Sequence, residues 1–169
     1  MPEVVQRVIH NKIVEMIQDI TVANGYLTDI REVNKGDVSL ENIEQFPAVN
    51  VISSDTVYLN PENNEAGKLM KTTRFLLDVY MEEAEVRIRD DLLINLMADI
   101  EVRFCDDVWG GNPAYSMTDT AGNLEGTALI ALPVNTTIFD IMDHKDQFGL
   151  TFTMDVKFRQ KRSDPTSLY

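Results

Sequence analysis

Between Gly149 and Phe158 the chain alternates without a break. Leu150, Phe152, Met154, Val156 and Phe158 fall on one side, and Thr151, Thr153, Asp155 and Lys157 on the other. Successive side chains of a strand point to opposite faces, so this pattern dictates a strand with one apolar and one polar face. The pattern then changes character. Arg159, Lys161 and Arg162 follow at once, a cluster of positive charge leading into a short polar tail over residues 160–169, in a chain of formal charge −13.

An apolar strand face needs a cover, and two amphipathic stretches can supply one. Over residues 3–23, Val5, Ile9, Ile13, Met16 or Ile17, and Ile20 recur at spacings of three and four, which predicts a helix. Pro2 suits its first turn and Gly25 its end. Over residues 82–104, Leu92, Leu93, Leu96, Met97, Ile100 and Phe104 form a second stripe. Glu82, Glu83 and Glu85 stand at its start, where the helix dipole favours negative charge.

The other segments read as strands. Tyr26–Val33 is expected as a strand anchored by Leu27 and Ile30. "AVNVIS" and "TVYL" are expected as two short strands about a turn at Ser53, Ser54 and Asp55. Residues 60–67, rich in Pro, Asn and Gly, are expected as an exposed loop. Met70–Met81 alternates through Phe75, Leu77 and Val79 and predicts a long strand. "TALIALPVNTTIF" predicts the partner of the final strand, joined to it by "DIMDHKDQF", and Pro133 places an edge or a bulge in it. The stretch 106–126 is a long loop between elements, of a kind that is usually functional. This order predicts one α+β domain over residues 1–169, with a mostly antiparallel sheet and two amphipathic helices packed on one face.

Charge narrows the partners. Asp and Glu number 28 against 15 Lys and Arg, so general binding to nucleic-acid backbone is disfavoured. The single cysteine, Cys105, excludes an internal disulfide framework. No stretch approaches the ~20 apolar residues of a membrane span. The first residues are amphipathic and do not read as a signal peptide, so the expectation is a soluble protein assembled inside a cell.

Catalytic constellations are sparse. His10 has no metal partner near it in sequence. Asp140, Asp143, His144 and Asp146 make the best metal-like cluster, since hard cations take several carboxylate oxygens, but the spacing matches no calcium loop. A solvated connection between strands explains those residues equally well. Asp106 and Asp107 beside Cys105 would raise a thiol pKa, the reverse of what a nucleophile requires. The glycines of "VWGGNP" lack the spacing of a phosphate loop. The expectation is therefore a protein that is not an enzyme and takes no cofactor or metal. The surface candidates that remain are Trp109 and Tyr115 on the long loop, together with Lys157, Arg159, Lys161 and Arg162 at the basic end.

The layout resembles the tail terminator proteins of long-tailed bacteriophages. The resemblance runs through the first helix into Gly25-Tyr26, and through Pro47, Ala48, Val49 and Val51 after a polar loop. It continues through the strand around Phe75 and Val79, Asp99-Ile100 on the second helix, and Phe158-Arg159 with Asp164-Pro165 beyond. It implies a structural virion protein, assembled in the host cytoplasm, that closes the head-proximal end of a tail tube as a hexameric ring. Its implied partners are further copies of itself, the tail tube protein, a neck or connector protein and, where there is one, a tail sheath. DNA would pass through the lumen without being held. In such a ring Lys157, Arg159, Lys161 and Arg162 would reach an acidic neighbour. Two readings from other classes stand beside it: an acidic binding module or DNA mimic acting on a basic partner, and a small metal-dependent enzyme using Asp140, Asp143 and His144.

Overall fold

A computed structural model describes residues 4–58, 68–105, 128–141, 146–161 and 164–168 of the 169. The elements in chain order are α1 (Val5–Gln18), β1 (Glu32–Lys35), β2 (Ala48–Tyr58), β3 (Lys68–Glu82), α2 (Val86–Cys105), β4 (Ala128–Asp140), β5 (Gln147–Lys161) and β6 (Asp164–Leu168). The strands form one sheet in the order β1-β2-β3-β5-β4, with β6 also paired to β5. Only β1 and β2 run parallel; the other pairs are antiparallel. This is the α+β architecture the pattern predicts. Among the described residues no helix is long and apolar enough to cross a membrane.

The alternating stretch from Gly149 to Phe158 forms the heart of β5, an interior strand of the sheet. β5 pairs with β3 along its whole length, from Gln147 opposite Glu82 to Lys161 opposite Lys68. Its other edge is shared by β4 and β6. The register aligns whole rows of like side chains. Val33, Val49, Val79, Leu150 and Ile138 sit opposite one another across five strands, and the next row is Asn34, Asn50, Asp78, Thr151 and Thr137. Adjacent rows face opposite ways. The apolar face carries Phe75, Leu77, Phe152, Met154 and Phe158, and both helices bury their stripes on it. From α1 come Val5, Ile9, Ile13, Met16 and Ile17, and from α2 come Leu93, Leu96, Ile100 and Phe104. Each fully buried Leu, Ile or Phe contributes roughly 1.5–3 kcal/mol of transfer free energy, so these interlocked rows dominate the stability.

α1 ends at Gln18, five residues earlier than its periodicity suggests. The amide of Asp19 closes on Glu15, that of Ile20 tightens onto Ile17, and the side chain of Asn24 donates to the carbonyl of Asp19 at 2.8 Å. A short 3-10 turn over Val22–Asn24 follows, and Gly25 leaves it at φ 93°, a conformation that favours glycine.

Three expectations are corrected here. Tyr26–Val33 is a strand only at its end, in Glu32 and Val33 of β1. Leu27 is 62% exposed, only Ile30 is buried as an anchor, and pairing starts at Glu32. The cause is a tertiary hydrogen-bond acceptor, Asp99, which takes the amides that a strand would need. Ser53 to Asp55 form no turn: β2 runs through them as one strand, and a register shift between Ser53 and Thr56 absorbs the irregularity. The polar tail contains β6, which pairs with the end of β5. Pro133, by contrast, lies where expected, on the terminal strand β4 beside a register shift between Pro133 and Asn135.

Candidate functional site

The basic end is part of the sheet. β5 continues through Arg159 to Lys161, where Arg159 pairs with Met70 and Lys161 with Lys68 and Asp164. Lys157 points to the face opposite the helices and is half-buried between Thr72 and Ile130 in the register. A strand ends in positive charge here because the ladder, not the basic run, decides where it stops. Trp109, Tyr115, Arg162, Asp143 and His144 lie outside the described residues, as do the side chains of Arg159, Lys161, Asp140 and Cys105. Asp146 is exposed and lies 3.8 Å from Arg89, whose Nε also donates to the carbonyl of Glu83. Among the described residues no three His, Cys, Asp or Glu side chains gather in a metal-binding group.

The first histidine belongs to the packing. The carbonyl of Val51 can only accept, so the contact at 2.7 Å puts the proton on His10 Nε2. The ring meets Phe75 edge-on at 5.5 Å. Burial lowers its pKa most; the Val51 carbonyl opposes that and the charge of Lys35 adds to it. The imidazole is therefore neutral near pH 7 and acts as a core group with one satisfied hydrogen bond.

The face opposite the helices is a ladder of matched polar pairs. Arg74 grips Asp155, its registered partner, through two bonds at 2.8 and 3.0 Å. Thr151 donates to Asp78 at 2.6 Å. The segment after β1 folds over the β2 end of this face: Asn50, fully buried, donates to the carbonyl of Val38 at 2.7 Å. Glu32 fixes the segment's far side by accepting the amides of Glu44 and Gln45. Asp78 stands where this cover begins, and burial raises its pKa, with a lesser push from Asp37 against the Thr151 hydrogen bond.

A raised folded-state pKa means that Asp78 favours the fold while protonated. That contribution is complete below the unfolded pKa near 3.8 and is lost as pH rises through the folded value. Asp78→Asn keeps an oxygen for Thr151 and removes the charge. Its thermal midpoint should exceed wild type at about pH 7, and the gain should vanish toward about pH 3. Equal midpoints across that range would show that the carboxylate is adequately hydrated.

The remaining feature is an apolar margin. Ile138 ends the apolar row on β4, yet it is 58% exposed, and Val134 on the same strand is 52% exposed. α2 turns Ile94 and Val102 outward as well. α2 packs against β4 but leaves Ile138 and Val134 in solvent.

No family model and no curated protein sequence matches the chain. Among solved structures, it is similar to a chain of "Virion of native gene transfer agent (GTA) particle", at 7% identity and a TM-score of 0.46. The alignment covers 89% of this chain and 94% of that one.

Proposed function

We propose that this chain is a non-enzymatic structural protein of a phage virion, one that closes the head-proximal end of a tail tube as a six-membered ring. The observation that carries the reading is the apolar margin of an otherwise strongly acidic molecule. Ile138 and Val134 stand exposed along the terminal strand of the sheet, and a row of core residues ends at Ile138 without a cover. Exposed apolar surface at a sheet margin is suited to burial against another chain. The two lateral margins differ, one closed by the short β1 and the other by the long β4; unlike margins suit head-to-tail contact, which makes a ring where the rotation between copies closes. The order of elements and the positions from Gly25-Tyr26 to Asp164-Pro165 resemble tail terminators, which supplies the tube end and the neck as the partners above and below. The basic end of β5 then serves contact with an acidic neighbour, and the net charge of −13 suits a lumen through which DNA passes unheld.

The test is the mass of the purified chain by light scattering, with negative-stain images of the same sample. A six-copy species with a central hole is expected, either in solution or on added tail tubes whose ends become capped. A monomer that leaves tube ends open would overturn the reading. The charge favours one second reading, an acidic mimic of nucleic acid. A mimic stays monomeric or dimeric and competes with DNA for a basic protein.

A further inference from the structure

Besides the basic end of β5, the acidic charge of this molecule has a local exception at a cleft. A cleft of about 330 Å³ opens where the start of α1 meets β1 and β2, lined by Val4, Gln6, Arg7, His10, Lys35 and Ser53. It holds two cationic side chains and no carboxylate, in a chain where acids outnumber bases nearly two to one. Its walls are fixed. Gln6 donates to Ser53 at 3.0 Å, His10 is held on Val51, and Lys35 donates to Asn11. Arg7 is exposed, and among the described residues its guanidinium has no partner.

The opposite charge sits on the same helix-bearing face, toward the other edge of the sheet. Between residues 82 and 91 acids outnumber bases five to two. Glu82, Glu85, Asp90 and Asp91 are exposed there, and none of them takes part in an ion pair among the described residues. The cleft belongs to the β1–β2 side of the sheet, whereas α2, which carries this acidic start, packs against β4 at the far side. Two complementary surfaces on opposite flanks cannot meet within one copy. They can meet between successive copies.

We infer that the cleft formed by Arg7, His10 and Lys35 receives the second turn of α2, through Asp90 and Asp91, from a second copy of this chain. The inference rests on the ring reading and deepens it, since it names the charged half of the subunit contact. It also gives that contact a direction, because each copy offers one cleft and one acidic turn. Like charges facing each other across a contact are costly, so the charges select the register between copies.

The test is a charge exchange on the full chain. Arg7→Glu with Lys35→Glu makes the cleft acidic; Asp90→Lys with Asp91→Lys makes the helix start basic. Each double variant alone should weaken self-association at least about tenfold in Kd, in solution or on tube ends, while its thermal midpoint stays near wild type. Mixing the two double variants, or placing all four changes in one chain, should restore assembly, and added salt should weaken the wild-type contact. If wild type assembles and both double variants assemble equally well, the pairing is wrong and the ring stands. If wild type assembles nowhere, the ring reading falls and the pairing with it. Displacement of the acidic turn by short duplex DNA would assign the cleft to phosphate and overturn the pairing.

Discussion

Replacing Asp99 by alanine is expected to lower the thermal midpoint by about 10 °C. Asp99 lies on α2 and is only 3% exposed. One carboxylate oxygen accepts the amide of Leu27 at 2.9 Å; the other accepts the amide and the hydroxyl of Thr28 at 2.8 and 2.6 Å. Removing the carboxylate strands a buried amide and hydroxyl, and each unsatisfied donor costs roughly 1–3 kcal/mol. The sum is about 3–5 kcal/mol, and at this length each kcal/mol moves the midpoint by about 2–4 °C. Asp99→Asn keeps one good acceptor but turns an amide NH2 toward another donor, so it should fall between alanine and wild type. A midpoint for the alanine variant within about 2 °C of wild type would mean that the 26–28 segment is held by something other than this carboxylate. The bond has a consequence for assembly too. Asp99 ties α2 to the connection between α1 and β1, so it sets the position of the acidic helix relative to the cleft. Self-association should weaken in parallel with stability.

The second large effect is expected at Gly149. This residue lies on β5 between Tyr80 on β3 and Phe139 on β4, and the two rings meet above it edge to face, 6.0 Å between centroids. A Cβ at Gly149 would stand 2.3 Å from the carbonyl oxygen of Val79 and 2.6 Å from Cζ of Phe139. The ring can be moved, but the carbonyl belongs to the central ladder and cannot yield cheaply. Gly149→Ala should therefore destabilise by about 3 kcal/mol, the upper part of the usual range for overpacking, and lower the midpoint by about 6–12 °C. Adding Phe139→Leu removes the ring clash and leaves the backbone clash, so it should recover only part of the loss. Full recovery in the double variant would show that the ring alone, and not the approach of β3, demands glycine here.

The elements legible in the sequence are those whose apolar period is reinforced by their own neighbours. The row from Leu150 to Phe158 and that from Phe75 to Met81 each name a strand without help, and Val5 to Ile17 names a helix. What failed depends on residues far away. Tyr26–Val33 looks extended because Leu27 and Ile30 are apolar, but Asp99, 71 positions from Thr28, decides its backbone. Ser53, Ser54 and Asp55 carry turn composition, yet pairing with β3 on both sides makes a bulge cheaper than a break. The surfaces were harder still. The basic end at Lys157, Arg159, Lys161 and Arg162 was visible because its charges are consecutive or nearly so. The cleft was not, since Arg7, His10, Lys35 and Ser53 come from three elements and meet only when β1 pairs with β2. His10 illustrates the same limit: its neighbours Ile9 and Asn11 say nothing of the carbonyl of Val51 that it serves.

The strand order carries one more consequence, for how the chain is made. β5 sits between β3 and β4, and it is synthesised after every element it joins except β6. Until residues 147–161 exist, β3 has one edge unpaired, β4 has no neighbour, and Phe75, Leu77 and Val79 lack half their packing partners. The nascent chain thus carries a long open strand edge from the completion of β3 at Glu82 until β5 is made, and this non-local pairing must form late and slowly. The elements that line the cleft and carry the acidic turn all precede β5, but the helices have no finished sheet to pack on until β5 is in place. The whole sheet therefore closes in one late step, when β5 enters between β3 and β4 and takes up the free edge of each.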